Sequence, residues 1–127
     1  MRHSEQVGTG KLLSALQAER QAALAKLVDD GDRTAVDLIG SALLESNWPV
    51  CDDLAAALAE IETAEARDTL VGTLKARRHH VRSAAIKALI RLGDASARPA
   101  IEKLADDPSY EVRQDVAEAL RVLPDDG

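Results

Sequence analysis

The chain has 127 residues, of which 46% are hydrophobic and 30% charged, and its formal net charge is −6. This length and composition predict one globular domain, because a disordered chain would be poorer in large aliphatic residues. No apolar run approaches the roughly 20 residues of a membrane span, and the first eleven residues lack the apolar core of a signal peptide, so we expect a cytoplasmic protein.

The apolar residues predict helices, and local signals mark the helix ends. Much of the apolar content is Ala and Leu, which favours helix over strand. Apolar residues recur at helical spacing over 80–92, Gly93 is suited to end that helix, and Pro99 suits the first turn of the next one. Asn47 and Ser109 are suitable N-caps. The predicted helices are 11–29, 33–45, 48–61, 64–76, 79–92, 95–105 and 109–122.

A repeat of 31 residues organises these helices. Two registers hold without a gap, namely Val50, Val81 and Val112, and Leu27, Leu58, Leu89 and Leu120. Each period holds two helices joined by short connections, and stacking such pairs buries a continuous seam. We therefore predict an all-α fold, a right-handed α-solenoid of about seven antiparallel helices, with a closed helical bundle as the alternative. The whole chain, 1–127, would be a single domain with a capping helix at 11–32 and helix pairs at 33–63, 64–94 and 95–123.

The stretch VRSAAIKALIRLGDASARPAIEKLADDPSYEVRQDVAEAL resembles two successive HEAT repeats. It carries Val-Arg near the start of one helix, Ala-x-x-Ala-Leu within it, Leu-Gly-Asp at its end and Asp-Asp-Pro in the following turn. It is similar in particular to the short HEAT-like repeats of phycobilisome lyases and of small bacterial scaffold proteins. The resemblance implies an armadillo-like helical solenoid in which the helix beginning with Val-Arg lines the concave side, here 48–61, 79–92 and 109–122.

The chain departs from this family in the polar groups that connect the repeats. HEAT repeats often carry a turn aspartate and a Val-Arg arginine that hydrogen-bond along the stack. Only the last pair keeps both, as Asp107 and Arg113. Ala76 stands where Arg82 would need its aspartate, and Cys51 replaces the arginine one repeat earlier. The resemblance therefore implies an incomplete polar ladder.

Catalytic and metal-binding patterns are sparse. His79 and His80 are adjacent, and neighbouring side chains on a helix point in different directions, so we expect no metal site and no cofactor. HEAT-repeat hydroxylases bind iron through His-Glu pairs just after Val-Arg, where this chain has Ser-Ala and Gln-Asp. Asp52 and Asp53 should raise the pKa of the Cys51 thiol, which then serves only to fill the arginine position. We expect the chain not to be an enzyme.

Two surfaces are candidates for binding. Trp48, His79 and Tyr110 lie 31 residues apart and should form a row at the N-termini of the inner helices, which either binds an acidic group or only covers the turns. The concave face is the second candidate, because it should carry a small apolar patch with a polar rim. The predicted protein-binding residues are Trp48, Arg77, Arg78, His79, Arg82, Lys87, Ile90, Tyr110 and Glu118.

These observations predict a non-catalytic protein–protein interaction module, an adaptor or scaffold that binds a protein partner of unknown identity on its concave face and basic edge. One alternative, implied by the resemblance, is a chromophore-lyase-type subunit. The other is nucleic-acid binding through residues 67–103, which hold nine basic and three acidic residues in an otherwise acidic chain. Self-association through the N-terminal helix is a further expectation, based on Leu12, Leu13, Leu16, Leu24, Leu27 and Val28.

Overall fold

The structure is a computed structural model that describes residues 9–14 and 16–125. Its helices are α1 (Thr9–Leu12), α2 (Gln17–Asp30), α3 (Arg33–Glu45), α4 (Val50–Ile61), α5 (Ala64–Thr73), α6 (His79–Leu92), α7 (Arg98–Glu102) and α8 (Tyr110–Val122), with a 3-10 turn at Ala95–Ala97. No strand occurs in these two ranges, and none of their helices is long and apolar enough to cross a membrane.

Capping residues explain where the helices begin and end. The side chains of Asp32 and Thr63 accept hydrogen bonds from backbone N–H groups in the first turns of α3 and α5. Gly31 ends α2 and Gly93 ends α6, with φ of 58° and 67°, a left-handed conformation that glycine adopts without strain. Glu62 ends α4 in the same conformation, with φ of 61°, although it carries a side chain. The three residues are 31 apart, so one turn recurs in three repeats.

The helices form two layers, which confirms the predicted all-α solenoid. Helices α2, α4, α6 and α8 contact one another in succession, and we call them the inner layer. Helices α1, α3 and α5 follow one another in a second layer, and α7 packs on α8. The core lies between the layers, where Leu27, Leu58 and Leu89 of one sequence register are fully buried. The 31-residue repeat therefore sets the packing as well as the helix lengths.

The N-terminal segment differs from its prediction. The helix expected over 11–29 is interrupted, because α1 ends at Leu12 and α2 begins at Gln17. Helix α2 packs against α4, so it is an inner-layer helix and the segment contributes a further helix pair. Of the six apolar residues that suggested self-association, five are buried or packed against the core, and Leu16 is 67% exposed. Self-association stays a prediction, and of the six residues on which it was based only Leu16 is exposed for contact with a second copy.

A ladder of arginines connects the repeats, and it is more complete than expected. Arg20, Arg82 and Arg113 lie in one register, and each donates a hydrogen bond from Nη1 to the carbonyl oxygen six residues earlier. Arg20 also binds the Asp53 carboxylate, and Arg82 binds both carboxylate oxygens of Asp107, at 2.8 and 2.9 Å. The expectation that Arg82 lacks an aspartate was wrong, because its partner comes from the following turn and not from its own.

Cys51 occupies the one position of this register that has no arginine. An arginine there would reach the carbonyl oxygens of Glu45 and Ser46, by analogy with Arg82. Both carbonyls instead accept hydrogen bonds from Nη1 of Arg78, at 2.6 and 3.0 Å. Arg78 therefore replaces the missing arginine from the next repeat, which leaves room for the small buried thiol.

Candidate functional site

The first candidate surface is the edge at the N-terminal ends of α4, α6 and α8. Trp48 precedes α4, His79 begins α6, and Tyr110 begins α8. Trp48 is 61% exposed and Tyr110 is 67% exposed, and His79 is also exposed. Because α6 contacts both α4 and α8, the three rings follow one another along one edge, which we call the ring edge. Trp48 and Tyr110 are the only tryptophan and the only tyrosine of a chain that has no phenylalanine, and both lie on this surface.

The last ring of this edge is held by its own helix. The Arg113 guanidinium lies over the Tyr110 ring, 5.7 Å from the centroid, which is within the range of a cation–π contact. The side-chain amide of Gln114 donates a hydrogen bond to the Tyr110 hydroxyl. These two contacts fix the ring while leaving two thirds of the residue accessible to a partner. A ring that is already ordered loses less conformational entropy on binding.

Two of the predicted binding arginines belong to the scaffold. The Arg82 side chain is 14% exposed, and its donors are used by Asp107 and two backbone carbonyls. Arg78 holds the turn before α4, as described above. Arg77 is exposed and stays available at the ring edge. Of the three arginines predicted for the basic edge, only Arg77 is therefore left for binding, with the imidazole of His79 two residues further along the chain.

The basic segment 67–103 is also less free than its charge suggests. Arg67 pairs with Asp94, and Arg98 donates hydrogen bonds to two carbonyls at the end of α8. Together with Arg78 and Arg82, four of the nine basic side chains have partners inside the chain. A phosphate backbone would have to compete with these contacts, so the segment is not a continuous basic surface.

Carboxylates dominate the middle of the inner layer. Asp52 on α4 and Asp115 on α8 both interact electrostatically with Lys87 on α6 and with Glu111. Burial raises the pKa of Asp52 and of Asp115, and the positive charge of Lys87 works in the opposite direction. Ser83, which is buried, donates a hydrogen bond to Asp115. Lys87 therefore lies exposed in an acidic setting and not within a basic patch.

The remaining predicted binding residues of the inner layer are Ile90 on α6 and Glu118 on α8. Ile90 is half-buried, so little of the predicted apolar patch is exposed. Glu118 on α8 is exposed and pairs with Arg121. The structure thus places Lys87, Ile90 and Glu118 on α6 and α8, two helices of the inner layer, as predicted.

Sequence reasoning missed a groove between α2 and α4. The groove has a volume of about 450 Å³, an apolar floor and an acidic rim. Its lining residues are Gln21, Leu24, Ala25, Val28, Asp29, Asp53, Ala56, Ala57 and Glu60. The signal was present, because Arg20 lies 31 residues before Cys51 and so marks α2 as an inner-layer helix. The sequence pattern assigned this helix to an N-terminal cap and therefore predicted no groove between it and α4.

The two adjacent histidines meet instead of pointing apart, so the geometric expectation for them was wrong. Their ring centroids are 4.0 Å apart, with 42° between the ring planes. Nδ1 of His80 lies 3.3 Å from Oε1 of Glu111. Glu111 is the second residue of α8, the next helix of the inner layer. One ligand atom from each of His79, His80 and Glu111 lies within 4.8 Å of the others.

Cys51 has the environment of a packing residue. Burial raises the pKa of the Cys51 thiol to about 11, and the negative charge of Asp52 adds to the effect. The other expected contributor, Asp53, is paired with Arg20. The thiol donates a weak hydrogen bond to the His80 carbonyl, at 3.6 Å. At neutral pH the sulfur is therefore protonated and a poor nucleophile.

Comparison with known proteins identifies the repeat. A family model described as HEAT repeats matches residues 42–121. No curated protein matches the chain. Among the solved structures that match, human deoxyhypusine hydroxylase in complex with glycerol has a TM-score of 0.70 and 21% sequence identity. The match covers 97% of this chain and 44% of the hydroxylase chain, so this chain spans less than half of that protein's length.

The hydroxylase comparison corrects one expectation. We expected the chain not to be an enzyme. That expectation does not hold, because the hydroxylase has the same fold and is an enzyme. At 21% identity the likeness shows the fold alone and assigns no reaction to this chain. The fold is therefore compatible with both binding and catalysis, and the residues on its surfaces must decide between them.

Proposed function

The chain belongs to the HEAT-repeat family, and we propose that it is a protein-interaction module that binds a partner through the ring edge and the adjoining inner layer. Stacked helix pairs present one long surface to a partner, which is how repeat proteins commonly bind. In this proposal the exposed rings supply contact area, while Arg77 and Lys87 supply charge at the side of the contact. A cytoplasmic location and a scaffold role are part of the proposal.

One observation carries this proposal, namely that both large aromatic side chains of the chain are largely exposed and lie on the same edge. A protein that used aromatics only for stability would bury them, because a buried ring contributes about 1.5–3 kcal/mol of transfer free energy. Exposed Trp and Tyr are the residue types that most often dominate binding energy at protein interfaces. They occupy equivalent positions two repeats apart on one edge, so one extended partner can contact both.

The test compares a double variant, Trp48→Ala with Tyr110→Ala, with the matched control Leu44→Ala. Leu44 is 53% exposed, but it lies on α3 in the other layer. Proteins retained by the wild type from source-cell lysate are identified, and the affinity of the purified partner is then measured by calorimetry. Circular dichroism verifies that each variant keeps its helices, as exposed positions should allow.

The double variant should lose the partner, while the control should bind within about threefold of the wild type. Hot-spot aromatics each contribute about 2 kcal/mol or more, so each ring removed should weaken binding by roughly 30-fold. A partner that binds the wild type and the double variant equally would refute the ring edge as its site. Loss of the partner in the Leu44→Ala control would assign binding to the other layer.

The two alternatives have less support. Nucleic-acid binding through residues 67–103 is weakened by the internal pairing of Arg67, Arg78, Arg82 and Arg98. A fluorescence anisotropy titration with duplex DNA at low salt would test it directly, because such binding must weaken steeply as salt is added. The chromophore-lyase alternative stays a prediction, which mixing with a bilin and its carrier protein would test by absorbance.

A further inference from the structure

We propose that His79, His80 and Glu111 form a binding site for a divalent transition-metal ion of the zinc type. The three side chains come from the first turns of α6 and α8, and each offers one ligand atom within 4.8 Å of the others. Two imidazoles and one carboxylate are a common ligand set for zinc, with water in the fourth position. His79 also belongs to the ring edge, but the metal proposal does not rest on the partner proposed above.

One pair in the cluster already has the spacing of two ligands on one ion. Zinc binds imidazole nitrogen and carboxylate oxygen at about 2.0–2.2 Å, so two such atoms in a tetrahedral shell lie about 3.3 Å apart. Nδ1 of His80 and Oε1 of Glu111 are 3.3 Å apart. The His79 ring lies 4.0 Å from the His80 ring between centroids, and one of its nitrogens lies within 4.8 Å of both other ligand atoms.

Access and charge also favour a cation here. The side chains of His80 and Glu111 are 40% and 44% exposed, so an ion can enter from solvent and keep a bound water. Asp52 interacts electrostatically with both of them, which adds negative charge beside the site. These carboxylates offset the positive ends of the α6 and α8 dipoles, which by themselves would disfavour a cation.

The ligand set selects the class of ion. Magnesium and calcium prefer shells made of oxygen ligands only, whereas two imidazoles suit zinc, cobalt, nickel or copper. The site also differs in register from a His-Glu pair placed just after Val-Arg. The two histidines precede Val81 and Arg82, and the carboxylate comes from the next repeat, 31 residues after His80.

Tag-free protein titrated with Co²⁺ provides the first test, because its visible absorption reports nitrogen ligands and coordination number. Zn²⁺ should displace the cobalt at a ratio of one ion per chain, and calorimetry should give the zinc affinity. The variants are His80→Ala and the near-isosteric Glu111→Gln. The matched control is His3→Ala, which removes the remaining histidine, a residue outside the described ranges.

We expect each ligand variant to weaken zinc binding by about tenfold or more, since even replacing a residue that hydrogen-bonds to a metal ligand commonly reduces metal affinity 10–100-fold. The His3→Ala control should bind as the wild type does. Absence of saturable binding to the wild type, or equal affinity in wild type and Glu111→Gln, would overturn the site. Loss of binding in His3→Ala alone would place the ion at the N-terminus and overturn it as well.

Discussion

Replacing Arg82 by alanine should be among the most destabilising single changes in this protein. The guanidinium makes two hydrogen bonds to the Asp107 carboxylate and two more to backbone carbonyls before α6. The side chains of Arg82 and Asp107 are 14% and 4% exposed, so the ion pair is nearly withdrawn from water. Removing the arginine leaves the carboxylate buried without its main partner, in the joint between two repeats.

The magnitude follows from these contacts. Breaking a fully buried ion pair costs about 3–5 kcal/mol, and the lower end applies here because Asp107 keeps a hydrogen bond from the Ser109 N–H. We therefore expect the free energy of unfolding to fall by about 3 kcal/mol, a large share of the 5–15 kcal/mol typical of a domain. The same loss corresponds to a decrease in Tm of roughly 10 °C for a chain of this size.

Urea denaturation followed by far-UV circular dichroism at pH 7 measures this loss. Arg77→Ala is the matched control, because Arg77 is the exposed neighbouring arginine and its loss should change stability by less than about 0.5 kcal/mol. In the double variant, Arg82→Ala with Asp107→Asn, the stranded charge is absent. The double variant should therefore be clearly more stable than the sum of the single losses predicts. A loss below about 1 kcal/mol, or strictly additive single changes, would refute the assignment of Arg82 to the scaffold.

Three further predictions concern other positions. Replacing Glu62 by glycine should raise Tm and increase the free energy of unfolding by about 0.5–1 kcal/mol. The left-handed conformation costs a residue with a side chain about 1–2 kcal/mol, and the greater flexibility of glycine in the unfolded chain offsets part of that gain. An unchanged Tm would contradict this prediction. The Cys51 thiol, with its pKa raised to about 11, should react with a thiol reagent at pH 8 only in denaturant, and fast labelling of the native protein would show the burial to be wrong. Burial opposes ionisation of Asp107, but hydrogen bonds from Arg82 and from the Ser109 N–H lower its pKa overall, so its ionisation stabilises the fold above about pH 4 and that contribution is lost on acidification. The free energies of unfolding of wild type and Asp107→Asn should accordingly converge between pH 7 and pH 3, and a constant difference would argue against the pairing.

The sequence predicted the repeat well, but the prediction did not extend the repeat to the N-terminal segment, where the structure continues it. The apolar spacing from Leu12 to Val28 predicted one continuous helix, but the chain turns after Leu12 and α2 begins at Gln17. The Ser14 carbonyl then accepts a hydrogen bond from Arg20, a contact that needs this turn. Apolar spacing reports only which residues face the core, so a break that preserves the buried face leaves no mark in it.

The histidine cluster shows a second limit. Adjacent residues on an ideal helix point in different directions, and that argument considers one helix at a time. His79 and His80 are the first two residues of α6, where their side chains project beyond the end of the helix and can turn toward a neighbour. The carboxylate that meets them comes from the next inner-layer helix, so no local pattern could reveal it. The 31-residue period does reveal it, because Glu111 lies one period after His80.

The same arithmetic connects the scaffold with the candidate sites. In a repeat stack, residues one period apart become neighbours, so each register of the sequence becomes a row on the protein. The row of Arg20, Arg82 and Arg113 stabilises the stack, and each ring of the ring edge lies three residues before a position of that register. Cys51 interrupts the first row, and Arg78 closes the gap by reaching back one repeat. Hydrogen bonds to backbone carbonyls consequently occupy Arg78, so the property that distinguishes the ring edge is its exposed aromatic area and not a concentration of positive charge.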